Sequence, residues 1–393
     1  MTCRAGEAWV RHAIDDYSSQ GADGANFADV DGDGRLDVTT PWENGGIVRV
    51  YFQPAAPEVA RAWPAVNVGK VGSPEDAVFV DLDGDGNFDV LSCCEGATRC
   101  LFVHWAPADR LKYQAPDSWT TSVIPTTQGW QWMTALPTQI DGKNGVDLIV
   151  GGKGTNAVIA WLESPENPRD LESWKLHPIY DAGWIMTLRA IDMDDDGDLD
   201  VLSSDRRKGR IVWLKNPGKD SPKLRDSWSV HEIGEKLGEV MFLDVADLDG
   251  DHVDEIVVAV KDNDIACLRR KSVSKSMWTT QRIPMPLNCG TGKGVAVGDV
   301  NLDGRQDIVF SCENANGGRS GLRWLQCDGD FDSGRWIDHE VSGPDGTKFD
   351  LVRMIDLDDD GDLDVVTCEE RKNLGLIWYE NPTRRRTSIG SGP

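Results

Sequence analysis

The sequence repeats one acidic frame, in which carboxylates stand at alternate positions, glycines let the chain turn, and one more carboxylate closes the loop. Asp29-Val-Asp31-Gly-Asp33-Gly34-Arg-Leu-Asp37 recurs as Asp81-Leu-Asp83-Gly-Asp85-Gly86-Asn-Phe-Asp89. Four further copies carry a full set: Asp192, Asp194, Asp196 and Asp200; Asp247, Asp249, Asp251 and Glu255; Asp299, Asn301, Asp303 and Asp307; Asp356, Asp358, Asp360 and Asp364. Alternating hard oxygen ligands around a glycine turn suit Ca²⁺. Without a cation each frame crowds three or four like charges. Up to six Ca²⁺ ions are expected, which would move the net charge from −25 to about −13. An EF-hand is excluded, because strand-like runs flank the frames and no Glu stands at position 12. A seventh frame, 139–147, departs. Gln139 and Lys143 replace its first and third carboxylates, and the Lys143 ammonium is expected to stand in for the ion. In the fifth frame His252 replaces a glycine, which predicts weaker binding. Near-identical sites in a ring suit structure better than a single reaction.

Two other sets, aligned on the same frame, differ from copy to copy. Six residues after the last ligand position come Glu43, Glu95, Lys153, Arg206, Lys261, Glu313 and Glu370. Six residues before the first come Asp23, Glu75, Met133, Met186, Met241, Lys293 and Asp350. Trp42, Asp76, Trp130, Trp132, Trp184, Glu239 and Lys348 are their sequence neighbours. Read functionally, these form a polar cleft. Trp42, Trp132 and Trp184 stack on sugar faces, and Lys153, Arg206 and Lys261 hold a carboxylate or sulfate. Asp23, Glu75 and Asp350 hold an additional divalent ion or move protons, with Lys293 as a tuned base. Read structurally, the charges pair with one another and the tryptophans pack in the core. Histidine adds nothing catalytic. His12, His177, His231 and His339 each follow a tryptophan by three residues, a structural recurrence. No Ser-His-Asp set or phosphate-cradling glycine loop is evident, so acid–base chemistry rests on carboxylate, Lys or Tyr.

Positioning such residues requires a repeating fold. From Asp29 to Asp356 there are six steps over 327 residues, about 54 each. A tryptophan opens a short apolar run at Trp9, Trp63, Trp119, Trp174, Trp228, Trp278 and Trp336, 18 to 21 residues before the next frame. Val/Ile-rich runs such as 47–52, 158–162 and 211–214 lie between, and helical periodicity is nearly absent. Each unit therefore holds four strands: one entering the frame, one leaving it, a Trp-Leu run and a Trp-led run. Seven such units predict an all-β, seven-bladed β-propeller. The last unit lacks its Trp-led strand, and the chain begins with an orphan one at 9–14. The N-terminal strand is thus expected to complete the last blade. One propeller, 7–382, replaces the two or three domains that length alone suggests, and 383–393 is expected to be a disordered tail.

These loops resemble the FG-GAP/VCBS repeat family, known from integrin α-subunit heads and many bacterial secreted proteins. The resemblance covers roughly 7–382 and implies the propeller and its Ca²⁺. More loosely, the Gly-Gly-x-Val hairpins and Trp-Leu-x-x-Pro runs are similar to the propeller domain of the fungal aldos-2-ulose dehydratase family, which implies sugar dehydration. The expected function is an extracytoplasmic, calcium-stabilised propeller that binds an acidic carbohydrate at the pocket opposite the calcium loops. If it is an enzyme, it is a lyase or dehydratase. The alternative is a non-catalytic lectin-like or protein–protein scaffold. A net charge of −25 opposes nucleic acid. No apolar run of about 18 residues offers a membrane span. No apolar h-region follows Met1, and a secreted or periplasmic home is expected from the calcium demand. The nine cysteines are odd in number and form no CxxC pair. Cys94 and Cys100 flank a short turn, where a bridge or two buried thiols are both open.

Overall fold

β-branched and aromatic runs broken by Gly, Asp and Asn can bury themselves only as pleated strands, and that is what forms. The computed structural model describes residues 7–15, 19–262, 264–270 and 277–384. Among them lie seven four-stranded antiparallel sheets arranged as the blades of a β-propeller. The innermost strands are Asn26–Ala28, Pro74–Val80, Gln131–Thr138, Ile185–Ile191, Val240–Ala246, Thr291–Gly298 and Phe349–Ile355. Each runs into an acidic loop and returns as the second strand, for example Asp37–Trp42 in blade 1 and Asp200–Asp205 in blade 4.

Blade 7 closes as expected. Val10–Asp15 adds to Gly375–Glu380, with Val10 opposite Glu380 and His12 opposite Trp378. Joining both chain ends in one sheet seals the ring without leaving a long exposed edge. The core lies between neighbouring blades. One cluster joins Val78, Leu91 and Trp105 of blade 2 to Trp132, Leu148 and Trp174 in and beside blade 3.

The tryptophan beat has a local cause. The indole Nε1 of Trp63, Trp119, Trp174 and Trp228 donates to a carbonyl in the turn just before it, on Val59, Tyr113, Pro168 and Leu224, at 2.8–3.0 Å. Each buried ring thus pins the loop that leads into the outer strand. The outer histidines are structural too: His12, His231 and His339 stack on Trp378, Trp213 and Trp324 at 4.1–4.4 Å. Cys94 and Cys100 are free thiols, and the bridge is not formed. At the start of the expected tail, Thr383 and Arg384 are held by Asn381 and Asp362. Residues 385–393 and Cys3 lie outside the described residues.

Candidate functional site

The two ends of the central channel are built differently. At the loop end, each frame turns through left-handed backbone at its fourth and sixth positions. In blade 1 these are Gly32 and Gly34, at φ 80° and 89°. The fifth frame uses His252 at φ 66°, a conformation strained for a side chain, and its ring is 95% exposed. Carboxylate oxygens of Asp29, Asp31 and Asp33 lie within 4.8 Å of one another, as do those of Asp81, Asp83 and Asp85, and of Asp192, Asp194 and Asp200. The donor set is all oxygen, and Asp81 Oδ1 is buried with no hydrogen-bond partner. Such a set fits a hard dication.

The last carboxylate of each frame has a second job. Asp37 accepts from the backbone N–H of Val30 at 3.0 Å and of Gln53 at 2.9 Å. Asp89, Asp147, Asp200, Asp307 and Asp364 repeat this pair of bonds, one to the loop and one to the end of the third strand. These buried staples sew the loop to the blade. Burial pushes their carboxyls up, to about 6 for Asp37, about 7 for Asp89 and Asp307, and about 8 for Asp364.

The seventh-copy frame corrects one expectation. Lys143 does not replace the ion: its side chain is 61% exposed and reaches only Asp141, at 3.6 Å. The Gln139 carboxamide occupies the loop instead. Its Nε2 donates to the carbonyls of Lys143, at 2.9 Å, and Gly145, while its Oε1 accepts from Asp141 and Gly142 N–H at 3.0 and 2.8 Å. A neutral amide, carrying donor and acceptor together, serves both halves of a turn that elsewhere surrounds carboxylates.

At the opposite end the charged rim pairs with itself. Lys153 bridges Glu75, at 3.2 Å, and Glu95. Arg206 and Lys261 both reach Glu239 at 3.2 Å, and Lys261 also reaches Glu313 at 3.2 Å. Lys348 pairs with Glu370. The expected anion-holding cations are therefore neutralised by acids of neighbouring blades and, for Lys261, of its own blade as well. The expected sugar platforms fail as well. Trp42 and Trp132 are fully buried, and their indoles donate to Tyr51 and to the Thr127 carbonyl. Trp184 is partly open, but Lys153 and Arg206 cover its ring at 4.9 and 4.3 Å.

Below the rim lies a 380 Å³ cavity lined by all seven innermost strands. Asp23, Glu75, Lys293 and Asp350 converge on it as the spacing predicted, with Met133 and Met186. Met241 is withdrawn into the core. Lys293 lies 3.3 Å from Asp350. Burial, reinforced by Glu370, raises the Asp23 carboxyl to about 7. Burial raises Glu75 and lowers the Lys293 ammonium. The expected carboxylate trio for an ion is rearranged. Asp23 clusters with Asp350 and Glu370 on one side and with Glu43 and Glu75 on the other. Asp76 lines the cavity but serves the frame: it accepts from Asn26 and Thr134 at 2.8 and 2.9 Å.

A lower tier was missed in the sequence. Arg189, Asp244 and Arg353 each stand three residues before a frame, and both arginines line the cavity. The alignment that selected the rim would have found them at that offset.

Residues 192–258 match the FG-GAP-like repeat family. Aldos-2-ulose dehydratase of Phanerodontia chrysosporium is 26% identical over 122 residues, 27% of this chain and 13% of that protein's length. Among solved structures, virginiamycin B lyase from Staphylococcus aureus superposes with a TM-score of 0.56 at 10% identity, covering 94% of this chain and 98% of that one. BBS1N, solved in complex with ARL6DN, gives 0.53 at 10% identity, covering 96% and 99%. The structural likenesses show the fold alone. In sequence and architecture together, the chain is a seven-bladed β-propeller carrying FG-GAP-like repeat sequence.

Proposed function

We propose that this protein is a calcium-stabilised, extracytoplasmic propeller that takes an acidic carbohydrate into its central cavity and acts on it as a lyase or dehydratase. The observation that carries this reading is the convergence of Asp23, Glu75, Lys293 and Asp350 on one 380 Å³ cavity. A β-elimination uses these groups directly. Lys293, drawn toward its neutral amine by burial, takes the proton from the carbon beside the carboxylate or carbonyl. The C–H electrons form the double bond, the β C–O bond breaks, and Asp23, protonated up to about pH 7, protonates the leaving oxygen. The limited similarity to a dehydratase points the same way. The loops call for the calcium-rich conditions outside cells, where modules of modest affinity stay filled.

The test is turnover of a panel of uronates and uronate oligosaccharides by the calcium-loaded chain, followed by the ultraviolet absorbance of the unsaturated product. Asp23→Asn and Lys293→Met should each lower the rate by about 100-fold or more with little change in melting temperature. Turnover that survives both substitutions removes this site from the chemistry. A second reading, a lectin-like or protein-binding scaffold, is favoured by the self-paired rim; its mark is saturable binding without product. The two trios sharing Asp23 are also arranged for an additional divalent ion. Mn²⁺ titration after the loops are filled with Ca²⁺ distinguishes that role from proton transfer.

A further inference from the structure

We infer that Arg189 and Arg353, deep in the central channel, form the seat for a ligand carboxylate, and that the bound unit is a single sugar acid. The inference rests on the reading of the channel as a carbohydrate site and names the part of it that recognises charge.

Both arginines project from innermost strands into the same 380 Å³ cavity. Arg189 sits 3.6 Å from Asp244, a long contact that leaves most of its donors unused, and its side chain is 30% exposed. The Arg353 backbone pairs with Val366 in the sheet, but its guanidinium forms no hydrogen bond or ion pair with a described residue. The acids nearest to it are engaged elsewhere. Asp76 accepts from Asn26, Thr134 and the Ala135 N–H, and Asp244 accepts from the Val297 N–H at 3.1 Å. A partly buried guanidinium presents five donors in a planar fork, and a carboxylate fills that fork bidentately. A second arginine facing it adds to the attraction for an anion, and their mutual repulsion is relieved when one binds. Burial first and Arg189 second lower the Arg353 pKa to about 10, against the opposing pull of Asp244 and Asp76.

The rim lets the acid group pass. At the mouth Glu75 is paired with Lys153 at 3.2 Å, Asp350 with Lys293 at 3.3 Å, and Asp23 is raised to about 7, so an acid group meets little repulsion there and finds its two cations deeper in the channel. Asp350 and Arg353 are three residues apart on one strand, and a register shift between Phe349 and Val352 turns both toward the channel, about two pairing steps or roughly 7 Å apart. That distance spans one pyranose ring with its substituents. With the carboxylate on the arginines, the ring carbons lie level with Lys293 and Asp23.

The experiment is calorimetric titration of the calcium-loaded full chain with D-glucuronate, D-glucose and inorganic sulfate, for the natural protein and for Arg353→Gln. Since the Arg353 guanidinium makes no hydrogen bond or ion pair with a described residue, the variant should melt like the parent; Arg353→Met is the second variant if it does not. Glucuronate binding that weakens at least tenfold in the variant, with glucose weak in both, supports the seat. Glucuronate bound equally by parent and variant overturns the seat while the carbohydrate reading stands. Sulfate bound in an Arg353-dependent way, with neither sugar bound, supports the anion seat and removes the carbohydrate reading. No binding of any probe overturns the seat.

Discussion

The loop end of the channel and the rim end are made by the same seven repeats, yet they obey opposite rules. At the loop end the same geometry recurs, down to the two backbone N–H groups held by each final Asp. At the rim end the equivalent position is Asp, Glu, Met, Met, Met, Lys and Asp around the ring. Repetition serves a demand that every blade shares, closing a hairpin full of carboxylates. Departure from repetition lets one spot on a near-symmetric ring differ from its neighbours, as a ligand site must. On the proposed reading, the loops are therefore a matter of stability and the cavity a matter of function.

Calcium removal should expose that division most strongly. Each site filled at 100 times its Kd contributes about 2.7 kcal/mol, so a chelator should lower the melting temperature by roughly 10 °C or more. The chelated protein should also lose stability between pH 5 and pH 8. The staple carboxyls have folded pKa values of about 6 to 8, above the unfolded value of 3.8. The folded state therefore holds protons that the unfolded chain has already released, and the advantage disappears as pH rises through the folded values. With calcium present the anionic loops are compensated and the decline should flatten. Scanning calorimetry across pH checks both; a melting temperature indifferent to chelator would make the loops mere solvated turns.

The staple and the ligands can then be pulled apart. Asp147 has the same two backbone bonds as its counterparts, in the one frame that has lost two carboxylates. Asp147→Ala should cost about 2–4 kcal/mol, because it strands the buried N–H groups of Ile140 and Ser164. The cost should be equal with calcium or chelator. Asp29→Asn should destabilise only when calcium is present. Urea unfolding in both conditions measures this, and a calcium-dependent Asp147→Ala cost would reassign that residue as a ligand.

This double role explains what was legible in the sequence. The frame, the tryptophan beat and the orphan first strand are periodic, and periodicity survives without coordinates. The ring closure of Val10–Asp15 onto Gly375–Glu380 followed from counting strands. The central carboxylates and Lys293 also fell where their offset placed them. Partner choice was not legible. Charges at equivalent positions identified a ring, but whether Lys261 faces a ligand or Glu313 of the next blade depends on the spacing between blades, which no single repeat encodes. Trp42 and Trp132 follow the same logic. Each has one polar neighbour in sequence, Glu43 and Gln131, while their indoles donate inward to Tyr51 and to the Thr127 carbonyl.

The smallest effect concerns which group fills the frame of blade 3. An ammonium is attractive on paper because it replaces charge with charge. The loop, however, presents carbonyls of Lys143 and Gly145 together with N–H groups of Asp141 and Gly142. A cation satisfies only the carbonyls, whereas a carboxamide satisfies both. A lysine reaching in from solvent would also lose side-chain entropy for one long contact with Asp141. Gln139→Ala should therefore cost about 1–2 kcal/mol, and Lys143→Ala less than about 0.5 kcal/mol. Both are read from urea midpoints, with and without calcium. If Lys143→Ala proves the more damaging, electrostatic replacement governs this loop after all. If Gln139→Asp, with Lys143→Asp beside it, restores a calcium-dependent midpoint, the frame was only two side chains away from its siblings, and the backbone of the repeat is what holds a cation-binding geometry in place.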